Sequence, residues 1–115
     1  RPALLAALKE IERQRRTLTR SKPATGAGQL LVTELDLAAR MAAQSAHLML
    51  WQQAVAAGEK MEARRRAQKI LDDLRQLDRD FNRYWPHRNK ATAQKCSAFL
   101  QWRMAELRAF LTPSR

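Results

Sequence analysis

The sequence is short of nearly everything that builds sheets, disulfides or membrane spans. Three glycines and four prolines in 115 residues leave too little turn chemistry for a sandwich or barrel of many short strands. A single cysteine, Cys96, excludes an intramolecular disulfide and any multi-cysteine zinc site. The two histidines, His47 and His87, have no Cys or second His at helical ligand spacing, so neither a metal nor a cofactor is expected. No apolar run approaches the roughly 18 residues of a membrane span, and no membrane partner is expected. A Gly-rich phosphate loop is missing as well. Acidic residues number 11 against 22 basic ones, a formal net charge of +11. The chain opens on Arg1 without the apolar core of a signal peptide, which suggests a single helical domain, a module or fragment of a longer polypeptide.

What is present is helical periodicity. Pro2 suits a first turn, where its missing N–H would be unbonded anyway. Leu4, Leu5, Leu8, Ile11 and Leu18 then recur on one helical face over about 2–20. Pro, Gly and Ser in 21–28 break that helix. A second helix is predicted over about 29–57, apolar on most sides through Leu31, Leu35, Ala38, Ala42, Ala46, Met49 and Val55, widened by Leu30, Leu37, Met41, Leu48 and Leu50. Such a helix is expected to be central and buried, with Gly58 as its C-terminal cap. A third helix is predicted over about 59–85 on Met61, Ala67, Ile70, Leu71, Leu74, Leu77 and Phe81, stopped by Pro86. A fourth is predicted over about 93–111 on Cys96, Phe99, Leu100, Met104, Leu107, Phe110 and Leu111, with Thr92 placed to cap it. The expected fold is therefore all-α, an antiparallel four-helix bundle.

The charge is uneven. Residues 1–28 carry +5, 29–57 carry −1, 58–86 carry +2 and 87–115 carry +5. Arg13, Arg15, Arg16, Arg20 and Lys22, extended by Arg64, Arg65 and Arg66, could form a polyanion-binding face. Aspartates at 72, 73, 78 and 80 interrupt the positive surface, and no aromatics interleave with the basic residues of the first helix. Nucleic acid is thus an alternative partner rather than the favoured one, and solvated arginines covering apolar neighbours are the simpler reading.

Catalytic constellations are not evident. Asp72-Asp73 and Asp78-x-Asp80 point apart on a helix and have arginines three or four residues away, which reads as surface ion pairing. Cys96 reads as a small buried hydrophobe rather than a nucleophile, and His47 as a satisfied histidine in an apolar run. No catalytic residue is assigned, and the isolated chain is not expected to be an enzyme.

One stretch carries more than composition. In Phe81-Asn82-Arg83-Tyr84-Trp85-Pro86-His87-Arg88-Asn89-Lys90, followed by Ser97, the residues Trp85, Arg88 and Asn89 fall between two amphipathic helices. This resembles the C-terminal helical region of bacterial proteins of glycoside hydrolase family 20, the β-N-acetylhexosaminidase-like family. There a helix ends in Leu-Trp, then two residues and Arg-Asn, then a Pro-Gly-Gly-Leu turn and a Ser opening the last helix. Trp85, Arg88, Asn89, the basic Lys90 and Ser97 match in register. Tyr84 stands for Leu, Ala91-Thr92-Ala93 for Pro-Gly-Gly and Gln94 for Leu, and Pro86 is additional, so the turn must be made differently. Upstream, Glu34-Leu35 and Ala38-Ala39-Arg40-Met41 are similar to the preceding helices. The resemblance implies a non-catalytic module whose partner is a catalytic barrel of the same parent protein; the alternatives are a basic bundle that binds nucleic acid and a helical scaffold or subunit that docks a protein partner. Trp85, Arg88 and Asn89 would serve there as structural residues: Trp85 packs at a helix end, Arg88 meets the last carbonyls and Asn89 turns the chain.

Overall fold

A computed structural model describes residues 2–84 and 90–112, with side chains described outside 84–98. Helix accounts for 91% of the described residues and no strand occurs among them. Four helices follow in order: α1 (Pro2–Arg20), α2 (Gly26–Ala56), α3 (Lys60–Tyr84) and α4 (Lys90–Leu111). The all-α class expected from the breakers and periodicity is what the chain adopts. The chain divides into two compact units, 1–50 and 51–115.

In the first unit, α1 half-buries Leu4, Leu8, Ile11, Arg15 and Leu18, spaced alternately by four and three residues. No residue of α1 is fully buried, and Leu5, expected on the inner face, is 47% exposed. Arg15 occupies an inner position because it has a partner there: its Nε donates to Asp36 Oδ1 of α2 at 2.7 Å. That hydrogen bond raises the guanidinium's affinity for its proton. The α1 C-terminus closes with Ser21, whose N–H donates to the carbonyls of Leu18 and Thr17 at 3.0 and 3.2 Å.

α2 starts three residues earlier than the glycines suggested. Thr25 caps it, its Oγ1 accepting the Gly28 N–H at 3.0 Å and its carbonyl accepting the Gln29 N–H at 3.0 Å. Gly28 is there for room: a Cβ on it would lie 2.7 Å from Pro23 Cβ. α2 ends as expected at Gly58, which takes φ +71°. The Glu59 N–H reaches the Ala54 carbonyl at 3.0 Å and the Gly58 N–H reaches that of Val55 at 3.1 Å. This is the Schellman arrangement, and it satisfies two end-of-helix carbonyls.

In the second unit, α3 and α4 pack against each other. Ties at both ends make the pair antiparallel: Arg64 Nη2 donates to the Leu111 carbonyl at 3.3 Å, and Gln101 Nε2 donates to Asp78 Oδ2 at 2.8 Å. The core is Ala63, Ala67, Ile70, Leu71, Leu74, Leu77 and Phe81 of α3 with Leu100, Met104 and Leu107 of α4. Trp51, at the end of α2, packs edge-on against Phe110 with ring centroids 5.2 Å apart.

Three expectations are corrected. Met61 is 88% exposed, and Ala63 takes the inward place at the start of α3. Phe99 is 52% exposed, leaving Leu100, Met104 and Leu107 as the buried face of α4. α4 begins at Lys90, so Thr92 lies inside the helix rather than capping it. Nor is α2 buried on all sides: Leu31, Leu35, Met49 and Val55 of its predicted apolar set are exposed.

Candidate functional site

α2 is apolar on two opposite sides, and only one of them is covered. Leu37, Ala43, Ala46, Leu50, Trp51 and Ala54 are buried. On the other side Leu31, Leu35, Ala38, Ala42, Ser45 and Met49 are all exposed. The three largest, Leu31, Leu35 and Met49, expose 52%, 47% and 50% of their surface. The six positions are separated by four, three, four, three and four residues, the spacing of a seam that meets another helix. The stripe runs about 27 Å along the helix at 1.5 Å per residue. It carries no charge, in a chain whose net charge is +11. An expectation of burial built on hydrophobicity failed here because a second apolar face adds hydrophobicity to the helix without adding a covering neighbour.

Several of the basic residues assigned to a polyanion face are engaged within their own unit. Arg13, Arg16 and Arg20 are exposed on one side of α1, but Arg13 is held by Glu10, with Nε at 3.0 Å from Oε2. The same contact, together with Gln14, draws the Glu10 carboxyl down to about 2. Arg65 is tied to Glu62, its Nε donating to Oε2 at 3.0 Å, and Arg64 serves the C-terminal carbonyl of α4. Arg66 lies 2.8 Å from Glu62 as well. Asp73 pairs with Lys69 at 2.9 Å and Asp72 with Arg75 at 3.6 Å, the surface ion pairing anticipated for them. Asp78 and Asp80 accept hydrogen bonds from amide side chains, Asp78 from Asn82 at 3.2 Å and Asp80 from Gln76 at 2.9 Å.

Two smaller features lie in the second unit. An open groove of about 520 Å³ in the second unit is lined by Ala54, Val55, Ala63 and Phe110, with Lys60 and Arg64 adding charge. On α4, Trp102 is 58% exposed, and the Arg103 guanidinium stacks 4.7 Å from its ring centroid.

No group of three or more His, Cys, Asp or Glu side chains poised for a metal occurs among the described residues. None of the described helices is long and apolar enough to cross a membrane. Of the residues carrying the glycoside hydrolase resemblance, Trp85, Arg88 and Asn89 lie outside the described residues, as does His87. Ser97 and Cys96 fall within α4, where their side chains are not described. No family model, curated protein or solved structure matches the chain.

Proposed function

We propose that this chain is a non-catalytic helical docking module whose binding face is the exposed stripe of α2. The observation that carries the reading is the stripe itself: six seam positions in register, uncharged and uncovered, on a helix whose opposite side already serves its own core. Contiguous exposed apolar surface of this kind marks an interaction site, whereas scattered exposed hydrophobics do not. A helix-lined seam recognises its partner through anchors at three- and four-residue spacing. The resemblance to the family 20 C-terminal region agrees in kind, since that region is also non-catalytic and docks on another polypeptide surface. Nucleic acid is the weaker alternative, because the Arg13, Arg64 and Arg65 side chains already have partners in the folded chain.

The test separates a free face from a core face. In dilute solution the Leu31→Gln/Leu35→Gln variant keeps the parent's helicity and unfolds within about 0.5 kcal/mol of it, as surface substitutions do. Leu107→Ala, at a position with 0% exposure, loses about 2–5 kcal/mol. If the double variant is destabilised as much as Leu107→Ala, the stripe belongs to the chain's own core and the docking reading falls.

A further inference from the structure

We infer that the occupant of the α2 stripe is a second copy of this chain, laid antiparallel across a two-fold axis between Ala38 and Ala42. The inference rests on the docking reading and adds the identity of the partner. Its basis is that the stripe is complementary to its own reverse. Turned end for end, Leu31 meets Met49, Leu35 meets Ser45, and Ala38 meets Ala42. These are the pairings that antiparallel seams make, in which positions of one kind face positions of the other. A two-fold contact requires such self-complementarity, because each residue pair must appear twice.

Side-chain size follows the same symmetry at the centre and at the ends, and is complementary rather than matched at Leu35 and Ser45. Two helices that cross are closest at the crossing point and diverge on either side of it. Ala38 and Ala42 stand at the centre, one turn apart, where backbones must approach. Leu31 and Met49 stand at the ends, where a widening gap needs longer side chains to fill it. The Leu35 side chain finds space over the small Ser45 of the copy. A partner of unrelated sequence would have no need for this ordering of small and large residues about one midpoint.

The net charge opposes a second copy everywhere except at the uncharged stripe. Each copy carries +11, so two copies repel at long range. The stripe offers an approach with no like charges in contact. Its charged neighbour Glu34 lies at the edge, and in this register it stands near Leu48 of the second copy rather than near a second carboxylate. Salt screens the long-range repulsion and leaves the apolar contact in place. Self-association through the stripe therefore strengthens as salt rises, whereas binding of an acidic partner or a polyanion weakens.

The experiment measures the mass of the full chain by analytical ultracentrifugation against protein and salt concentration. The expected result is a rise from 13.3 kDa toward twice that mass, displaced to lower protein concentration by added salt. Ala38→Glu, which sets two carboxylates at the axis, should weaken association by more than about tenfold while leaving helicity intact. Register is read by cross-linking in a Cys96→Ala background. An equimolar mixture of Ala38→Cys and Ala42→Cys chains should oxidise mainly to the mixed disulfide. A chain that stays monomeric at every concentration, a dimer indifferent to Ala38→Glu, or disulfides mainly between identical variants would each overturn the inference. So would association that weakens with salt, which would mean that ion pairs rather than the uncharged stripe hold the copies together. In all these cases the docking reading stands if Leu31→Gln/Leu35→Gln still folds like the parent, so the two failures are told apart.

Discussion

Gly26 and Gly28 sit in the same helical turn, yet substitution should act on them in opposite directions. Alanine restricts the unfolded chain more than glycine does, which stabilises wherever the native site has room. Nothing lies within 4 Å of a Cβ placed on Gly26. Gly26→Ala is expected to raise stability by about 0.4–1 kcal/mol. At Gly28 the added methyl would meet Pro23 Cβ at 2.7 Å and Thr25 Oγ1 at 3.1 Å. Neither atom is the free end of a flexible side chain, and Thr25 is also the cap. Gly28→Ala is therefore expected to cost about 1 kcal/mol or more, as overpacking does. Urea midpoints of the two variants decide it; equal stabilisation would mean that Pro23 yields without cost. The pair also shows why the start of α2 was misplaced from sequence. Glycines read as helix breakers when their local preference is considered alone, but Gly28 is glycine because a neighbouring ring needs the space.

At the scale of elements, α1 differs from the rest in having no fully buried residue. More of its helicity must come from side-chain pairs along its own surface. Glu10 is the clearest case: hydrogen bonds first from Arg13 and then from Gln14 hold its carboxyl at about 2, against an ordinary value of 4.5. A carboxyl whose folded value lies below its unfolded one supports the fold fully above pH 4.5 and loses that support as pH falls toward 2. Arg13→Ala should move the Glu10 midpoint back toward 4.5, followed by carboxyl-carbon NMR; an unchanged midpoint would show that Arg13 is not the cause. The inner faces of α3 and α4 were legible because one apolar stripe faced one neighbour: Ile70, Leu74, Leu77, Leu100, Met104 and Leu107 are buried where their spacing placed them. The second face of α2 was not legible. Leu31 and Leu50 look alike in sequence, and only the count of available neighbours decides which is covered. Met61 and Phe99 were misplaced for another reason: neither shares the face it was grouped with, Met61 lying two residues before the inward Ala63 and Phe99 one before Leu100.

Over the whole molecule, local stability should follow a gradient of burial that rises from α1, which has no fully buried residue, to α3. Amide exchange reports opening free energies that rise with buried apolar contact. The expected order has amides of α3 near Leu74 and Leu77, 2% and 1% exposed, exchanging slowest, and those of α1 fastest. Mass-spectrometric exchange of the intact chain checks this, and uniform protection across α1 and α3 would contradict it. The same gradient explains what the sequence could say about function. Chemistry is legible when it needs rare residues at fixed spacing, and this chain has one cysteine and two histidines. A docking stripe is made of leucine, alanine and methionine, the residues that also build cores, so only the fold separates one use from the other.

Trp51 gives the second unit an optical property of its own. Its indole N–H is buried without a hydrogen-bond partner and its ring rests on Phe110. An indole that neither meets water nor donates a hydrogen bond fluoresces at shorter wavelength than a solvated one. Trp102, more than half exposed, is of the solvated kind. In a chain where the other tryptophans are replaced by phenylalanine, the colour of Trp51 emission becomes a gauge of whether the 51–115 core is closed. It does so with no attached dye, and although Trp51 follows Met49 by only two residues it is buried rather than part of the exposed stripe, so folding and docking can be followed in one sample as separate signals.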